Sequence, residues 1–167
     1  DAITIDSDGN QVTNIGNLLY VNASNNHVGI GTDQPAVTLS VQEVGTGAWI
    51  NSISYHNFSW AGGLQLSHAY GTPENPEPIN VDDRIGSIFF KASLGTVQLD
   101  KQNQNSAGIE AFADGTQNDS SIPARIVFST TPEGSVGPST RMTIKNDGNI
   151  GIGTTTPGEL LEVAGNI

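Results

Sequence analysis

A glycine-rich motif that occurs twice constrains the fold of this chain more than any other feature. Residues 28–35 read Val-Gly-Ile-Gly-Thr-Asp-Gln-Pro, and residues 150–157 read Ile-Gly-Ile-Gly-Thr-Thr-Thr-Pro. Because β-branched residues alternate with glycine, an extended segment of this kind carries bulk on one face and none on the other. A bare glycine face allows another backbone to approach closely. The motif therefore predicts a short strand packed against a neighbouring backbone.

The residues after each motif continue the repeat. Leu39 and Val41 in the first copy correspond to Leu161 and Val163 in the second, and each pair flanks a polar residue. Such alternation is typical of a half-buried strand. Each copy therefore predicts a strand-turn-strand unit.

Between the repeats, residues 46–142 predict short strands joined by turn-rich loops, and no stretch shows the apolar periodicity of a helix. The predicted strands are 49–55, 63–67, 84–92, 97–99, 108–113, 125–129 and 141–145. The expected fold class is all-β, with an antiparallel β-sandwich or barrel-like middle domain between short intertwined β modules. The predicted domains are 1–45, 46–142 and 143–167.

The size and composition of the flanking modules predict oligomerisation. Gly, Asn, Ser and Thr make up 66 of the 167 residues, so the core must be thin. Modules of about 25–45 residues rarely fold on a hydrophobic core alone. The chain contains no cysteine and therefore no disulfide. Intertwined or side-by-side chains about an axis are the remaining source of stability.

The charge and hydropathy of the chain limit the classes of partner that it can bind. The formal net charge is −11, so a nucleic-acid backbone would be repelled. No apolar run approaches the ~18 residues of a membrane span, which predicts no membrane insertion. The chain begins Asp-Ala-Ile-Thr, and we expect it to be a segment of a longer polypeptide.

The repeated motif also carries a resemblance. Asp-Gly-Asn-Ile-Gly-Ile-Gly-Thr-Thr-Thr-Pro at 147–157, followed by Leu-Glu-Val-Ala-Gly at 161–165, resembles the repeated motif of tailed-bacteriophage tail fibre and tail spike proteins. Residues 84–157 resemble the β domain that often precedes it. The resemblance implies a homotrimeric, protease-resistant fibre in an extracellular virion, acting in host attachment. The residues expected to pack in the trimer are Val28, Gly29, Ile30, Gly31, Ile150, Gly151, Ile152 and Gly153.

Metal sites are weakly indicated. Asp6 and Asp8 alternate as in a calcium loop, but the following glycine is too early for an EF-hand, which favours a plain turn. His27 precedes the first glycine motif, where an axis would bring several copies together, although a solvent-facing histidine is the simpler interpretation. We predict no metal and no cofactor.

Catalytic motifs are equally sparse. The Gly-x-Gly pairs lack the third glycine of a dinucleotide fingerprint, and no phosphate-binding loop or Gly-x-Ser-x-Gly elbow occurs. Hydrolysis of polysaccharide requires two carboxylates at a defined separation. Glu110, Asp114 and Asp119 are the nearest candidates, but a solvated loop edge is favoured. We therefore expect that the protein is not an enzyme.

Aromatic side chains concentrate in residues 49–70. Sugars present apolar C–H faces, so aromatic rings with a polar handle suit saccharide binding. The predicted glycan-binding residues are Tyr55, Trp60, His68 and Tyr70, together with loop 71–83. The net negative charge favours a neutral glycan. The alternative is that these rings fill the core or a subunit interface.

The leading hypothesis is a structural segment of a trimeric viral tail fibre that contributes to host-surface attachment, with host polysaccharide as a candidate partner. Two other classes stay open. One is a fragment of a polysaccharide depolymerase tail spike, and the other is a cellular adhesin or carbohydrate-binding module.

Overall fold

A computed structural model of the chain describes residues 19–22, 26–35, 37–42, 50, 63–92 and 105–165. These residues form strands, turns and loops and contain no helix, so the predicted all-β fold class is confirmed. Consequently, none of the described ranges offers a helix that could cross a membrane. The chain divides into two compact units, residues 1–63 and 64–167.

The first unit contains a three-stranded sheet made of β1 (Leu19–Asn22), β2 (His27–Ile30) and β3 (Leu39–Val41). The central strand β2 is antiparallel to β1 and parallel to β3. The parallel pairing requires the chain to turn back between β2 and β3. Gly31 begins that turn with a φ of 73°, a left-handed conformation that glycine adopts without the strain of a Cβ atom.

The second unit begins with a two-stranded hairpin, β4 (Tyr70–Thr72) and β5 (Asn75–Glu77). A six-stranded sheet follows, in which spatial order matches chain order and only the last two strands are parallel. Its strands are β6 (Arg84–Phe90), β7 (Ala107–Ala113), β8 (Ala124–Thr130), β9 (Ser139–Ile144), β10 (Ile150–Ile152) and β11 (Leu161–Val163).

The strands predicted at 84–92, 108–113, 125–129 and 141–145 correspond to β6, β7, β8 and β9. Residues 63–67 do not form a strand, and β4 and β5 lie in a region predicted as loop, where Pro-rich sequence concealed the hairpin. Of the predicted strand 49–55 only residue 50 is described, and the predicted strand 97–99 lies outside the described residues. The predicted domain boundary at 142/143 falls within β9, so the last three strands continue the sheet of the middle region. The sandwich or barrel arrangement stays a prediction.

The pairing register aligns apolar residues across all six strands on one face of this sheet. One row consists of Ile88, Ile109, Phe128, Met142, Ile152 and Val163. The next row on the same face consists of Gly86, Ala111, Ile126, Ile144, Ile150 and Leu161. We call these two rows the apolar face.

The opposite face, which we call the polar face, carries the intervening row Ser87, Glu110, Val127, Thr143, Gly151 and Glu162. Burial is the reverse of what the chemistry of the two faces suggests. Thr143 is 1% exposed, whereas Ile126 and Ile152 on the apolar face are 41% and 44% exposed. In the part of the chain that the structure describes, the buried hydrophobic residues are only Ile79, Ala113 and Val127.

Candidate functional site

The β4–β5 hairpin borders a cavity of about 470 Å³ in the second unit. Its walls are mainly apolar, and its polar residues come from the segment before the hairpin, the hairpin itself and the loop between β7 and β8. The apolar walls include Leu66, Pro76, Pro78, Ile79, Ile85 and Ile122. The polar residues include His68, Glu77, Gln117, Asn118 and Asp119. An apolar pocket with a few polar groups is the usual composition of a small-molecule site.

One of the predicted glycan-binding residues, His68, lines this cavity, and a second, Tyr70, contacts His68. The rings of His68, a lining residue, and Tyr70 pack edge to face, with centroids 5.3 Å apart and planes at 75°. His68 Nδ1 donates to the carbonyl oxygen of Arg84 at 2.9 Å, which requires the proton of the neutral ring to be on Nδ1. Nε2 is then the acceptor nitrogen of the neutral ring.

Tyr70 is held by the loop that follows the hairpin. Its hydroxyl donates to Asp83 Oδ2 at 2.8 Å, and the backbone N–H of Asn80 donates to the same oxygen at 2.7 Å. The bond to Asp83 is the main reason that the pKa of Tyr70 is raised. The same bond is the main reason that the pKa of Asp83 is lowered. These hydrogen bonds therefore hold Tyr70, the neighbour of His68, against the loop that follows the hairpin.

The other two residues predicted for glycan binding, Tyr55 and Trp60, lie outside the described residues. The sequence did not reveal that Gln117, Asn118 and Asp119, from a loop about fifty positions after His68, also line this cavity. That loop is closed on itself by reciprocal backbone bonds between Asn118 and Ser121, at 2.9 and 3.1 Å. Its polar, turn-rich sequence was the available signal, but nothing in it indicated which strand ends it would approach.

The two glycine motifs fold alike, which is the second feature relevant to function. In the first, Val28 pairs with Leu39, and in the second, Ile150 pairs with Leu161. Both pairings are parallel and have the same register. The residue preceding each motif bonds to the carbonyl of its proline. His27 Nδ1 donates to Pro35 O at 2.9 Å, and Asn149 Nδ2 donates to Pro157 O at 3.4 Å.

Within both motifs the glycine is closely approached by the chain's own backbone. A Cβ atom on Gly29 would overlap the carbonyl oxygen of Thr32, and one on Gly151 would overlap that of Thr154. Both glycines are buried. The turn after each strand thus folds back over the bare face. Packing of the two motifs against sister chains stays a prediction.

The bulky residues of the motifs lie on the other side of their strands. Ile30 and Ile152 are exposed, and Val28 and Ile150 are partly exposed. Gly153 has a φ of 75° and begins the second turn, as Gly31 begins the first. Both motifs therefore present a flat apolar strip opposite the covered glycine.

The three carboxylates considered for hydrolysis have different surroundings. Glu110 Oε2 lies 2.8 Å from Arg84 Nε on the polar face. Asp114 Oδ1 lies 2.6 Å from Lys145 Nζ and 3.1 Å from Arg125 Nη1. Asp119 lies on the exposed β7–β8 loop at the cavity. Two of the three are thus neutralised by cations.

Asp114 connects three parts of the second unit. Its side chain is 5% exposed, and its Oδ2 accepts from the backbone N–H of Asn146 at 3.1 Å. Burial by itself would raise the pKa of Asp114, but the bonds from Lys145, Asn146 and Arg125 outweigh burial and lower it. Arg125 also lies 2.8 Å from Asp82 Oδ1. The cluster ties the end of β7 and the start of β8 to the β9–β10 turn.

No group of three or more His, Asp or Glu side chains suited to a metal ion occurs among the residues for which the structure gives a position. His27 is engaged with Pro35. Asp6 and Asp8 lie outside the described residues.

Comparison with known proteins gives no further assignment: no protein-family model and no curated protein matches the chain.

Proposed function

We propose that the protein is a structural segment of a homotrimeric tail fibre of a tailed bacteriophage, located in the extracellular virion and contributing to attachment to the host surface. Its action is binding and mechanical extension rather than turnover. The observation that carries the proposal is the duplicated glycine module, which is built with the same strand order and register in both units.

A repeated module of this kind suits a fibre because it gains stability from backbone pairing rather than from a deep core. In each copy a three-residue parallel strand is joined to its neighbour by a turn that begins with glycine. The hydrophobic burial that would stabilise a free monomer is small, with Ile79, Ala113 and Val127 as the buried hydrophobic residues of the described part. Domains with so little core usually depend on association.

The cavity beside the β4–β5 hairpin supports the attachment role. It offers apolar walls for the C–H faces of a sugar, and amide and imidazole groups for its hydroxyls. Glu77 and Asp119 add negative charge at its edge, which disfavours an anionic glycan. A neutral host saccharide is the ligand class that fits these features.

The oligomeric state tests the fibre proposal directly. Light scattering or sedimentation of the protein at micromolar concentration should report a mass of three chains, about three times 17.4 kDa. A folded monomer at that concentration would contradict the proposal. Incubation with capsule or lipopolysaccharide should release no reducing ends, and their release would support the depolymerase alternative instead.

The attachment role is tested with an array of neutral and sialylated oligosaccharides. Ile122→Asp places a carboxylate at the apolar wall of the cavity and should weaken binding to neutral oligosaccharides at least about tenfold, or ~1.4 kcal/mol. Val136→Asp is the matched control, because Val136 is also an exposed apolar residue and does not line the cavity. Equal binding by the two variants would exclude the cavity as the glycan site.

A further inference from the structure

The apolar face of the six-stranded sheet is an uncharged surface on a strongly acidic chain. Neither of its rows contains a charged or polar side chain, although the chain has 23 charged residues, 6 basic and 17 acidic. Arg84, Glu110 and Arg125 lie on the other side of the same strands or at their ends, in ion pairs. The separation of charge between the two sides is therefore complete along these rows.

In the part of the chain that the structure describes, the residues of this face are partly or fully exposed and none is buried. Leu66 packs onto Gly86 at one corner, where a Cβ on the glycine would come within 2.7 Å of the leucine Cβ. Away from that corner, Ile88, Ile126 and Leu161 are 45%, 41% and 61% exposed. Soluble proteins rarely expose a continuous apolar surface of several strands unless it is an interaction site.

We propose that the apolar face is an interface between copies of this chain, with the apolar rows of one copy packed against those of another. The inference rests on the proposed homotrimer and adds which surface of the subunit forms the contact. The opposite side of the sheet, where the turn after β10 covers Gly151 and where the Asp114 cluster lies, then faces away from this contact.

A sister copy explains the face better than an unrelated partner does. The described part of the chain buries so little hydrophobic surface that a cover is needed whenever the chain is folded. Another copy is the partner that is present whenever the chain is made. Copies that each carry a net charge of −11 also repel one another, and an uncharged face is the surface where contact adds no pair of like charges.

The first unit repeats the pattern, which supports an interface that extends along the chain. Leu19, Ile30 and Val41 form one apolar row across its sheet, in the same relation as Met142, Ile152 and Val163 in the second unit. On the other side of each sheet, the glycine that precedes the central isoleucine, Gly29 or Gly151, is covered by the turn. In both units, the turn covers the glycine side of the sheet, and the side that carries the apolar row is the exposed one. This similarity is expected if both sheets contact sister chains through their apolar rows.

Thiol labelling can show whether the apolar face is shielded in the native particle, because the chain has no native cysteine that would also react. Ile126→Cys places the single thiol at the centre of the apolar face, and Val136→Cys places it on an exposed loop as the control. In the native particle, maleimide should react with Ile126→Cys at least about tenfold more slowly than with Val136→Cys, and at equal rates after denaturation. Equal rates in the native particle would overturn the proposal.

A second variant shows whether the partner that shields the apolar face is another copy of the chain. Ile126→Asp should lower the particle mass measured by light scattering from three chains towards one, or give soluble aggregates without defined mass, whereas Val136→Asp should leave it unchanged. A protected thiol in a monomeric wild-type particle would overturn both this proposal and the fibre proposal. A trimer with a freely reactive thiol would overturn only the assignment of this face.

Discussion

Gly151→Ala is expected to destabilise the second unit by about 2–3 kcal/mol and to lower its Tm by about 10 °C. The added Cβ would overlap the carbonyl oxygen of Thr154 and would lie 3.3 Å from Pro157 Cδ. Both neighbours belong to the turn that returns the chain to β11. Backbone atoms cannot swing aside as a flexible side chain can, so either the turn or the pairing of β10 must shift.

The matched control is Gly158→Ala, the same change only a few residues away. A Cβ at Gly158 meets nothing closer than Glu162 Oε2 at 3.8 Å, an ordinary contact. Thermal denaturation of the two variants should therefore show a large loss for Gly151→Ala and a change near zero for Gly158→Ala. Comparable Tm values would show that the turn does not pack on the glycine as described.

The second large effect is expected for Asp114→Asn. The change removes the negative charge that Lys145 and Arg125 share and leaves two cations close together. Breaking a fully buried pair costs about 3–5 kcal/mol, and because both cations are partly exposed here we expect about 2–3 kcal/mol. Chemical denaturation at neutral pH measures this loss of unfolding free energy.

The loss should depend on pH in a defined direction. The pKa of Asp114 is lowered in the folded chain from its ordinary value of 3.8, so the folded state holds this proton more weakly than the unfolded state does. The stabilisation is therefore fully present above pH 3.8 and disappears as the pH falls through the lower, folded pKa. The difference between wild type and Asp114→Asn should shrink over that interval.

Asp119→Asn is the control for this prediction. Asp119 is also an aspartate near the β7–β8 connection, but it is exposed, and no ion pair of this residue occurs among the described residues. Its substitution should leave the unfolding free energy within about 0.5 kcal/mol of the wild type. A pH-independent difference between wild type and Asp114→Asn would contradict the role assigned to the carboxylate.

Only some of the residues at the candidate binding site could be predicted from the sequence. His68 and Tyr70 were predicted because aromatic side chains with polar handles cluster near them, and in the structure their two rings are in contact. Gln117 and Asn118 could not be predicted, because they come to the cavity through the pairing of β6 with β7 and of β7 with β8, at long sequence separation. Local patterns carry no information on such approaches.

Which face of the six-stranded sheet is buried is the feature that the sequence predicted least well. The strand predicted at 141–145 is confirmed as β9, in which Met142 and Ile144 lie on the apolar face. The buried residue is nevertheless Thr143, on the polar side. A period of two shows that a strand has two unlike faces, but which face is covered depends on what packs there, and that is a tertiary property.

By itself, the sequence determined the all-β class and the duplicated strand-turn-strand module, because both depend on local alternation of side chains along the backbone. Only the tertiary structure decided the register that aligns apolar residues across six strands, the turn that covers Gly151, and the cation pair around Asp114. These features join residues far apart in the chain, and their energies depend on distances that no local pattern encodes.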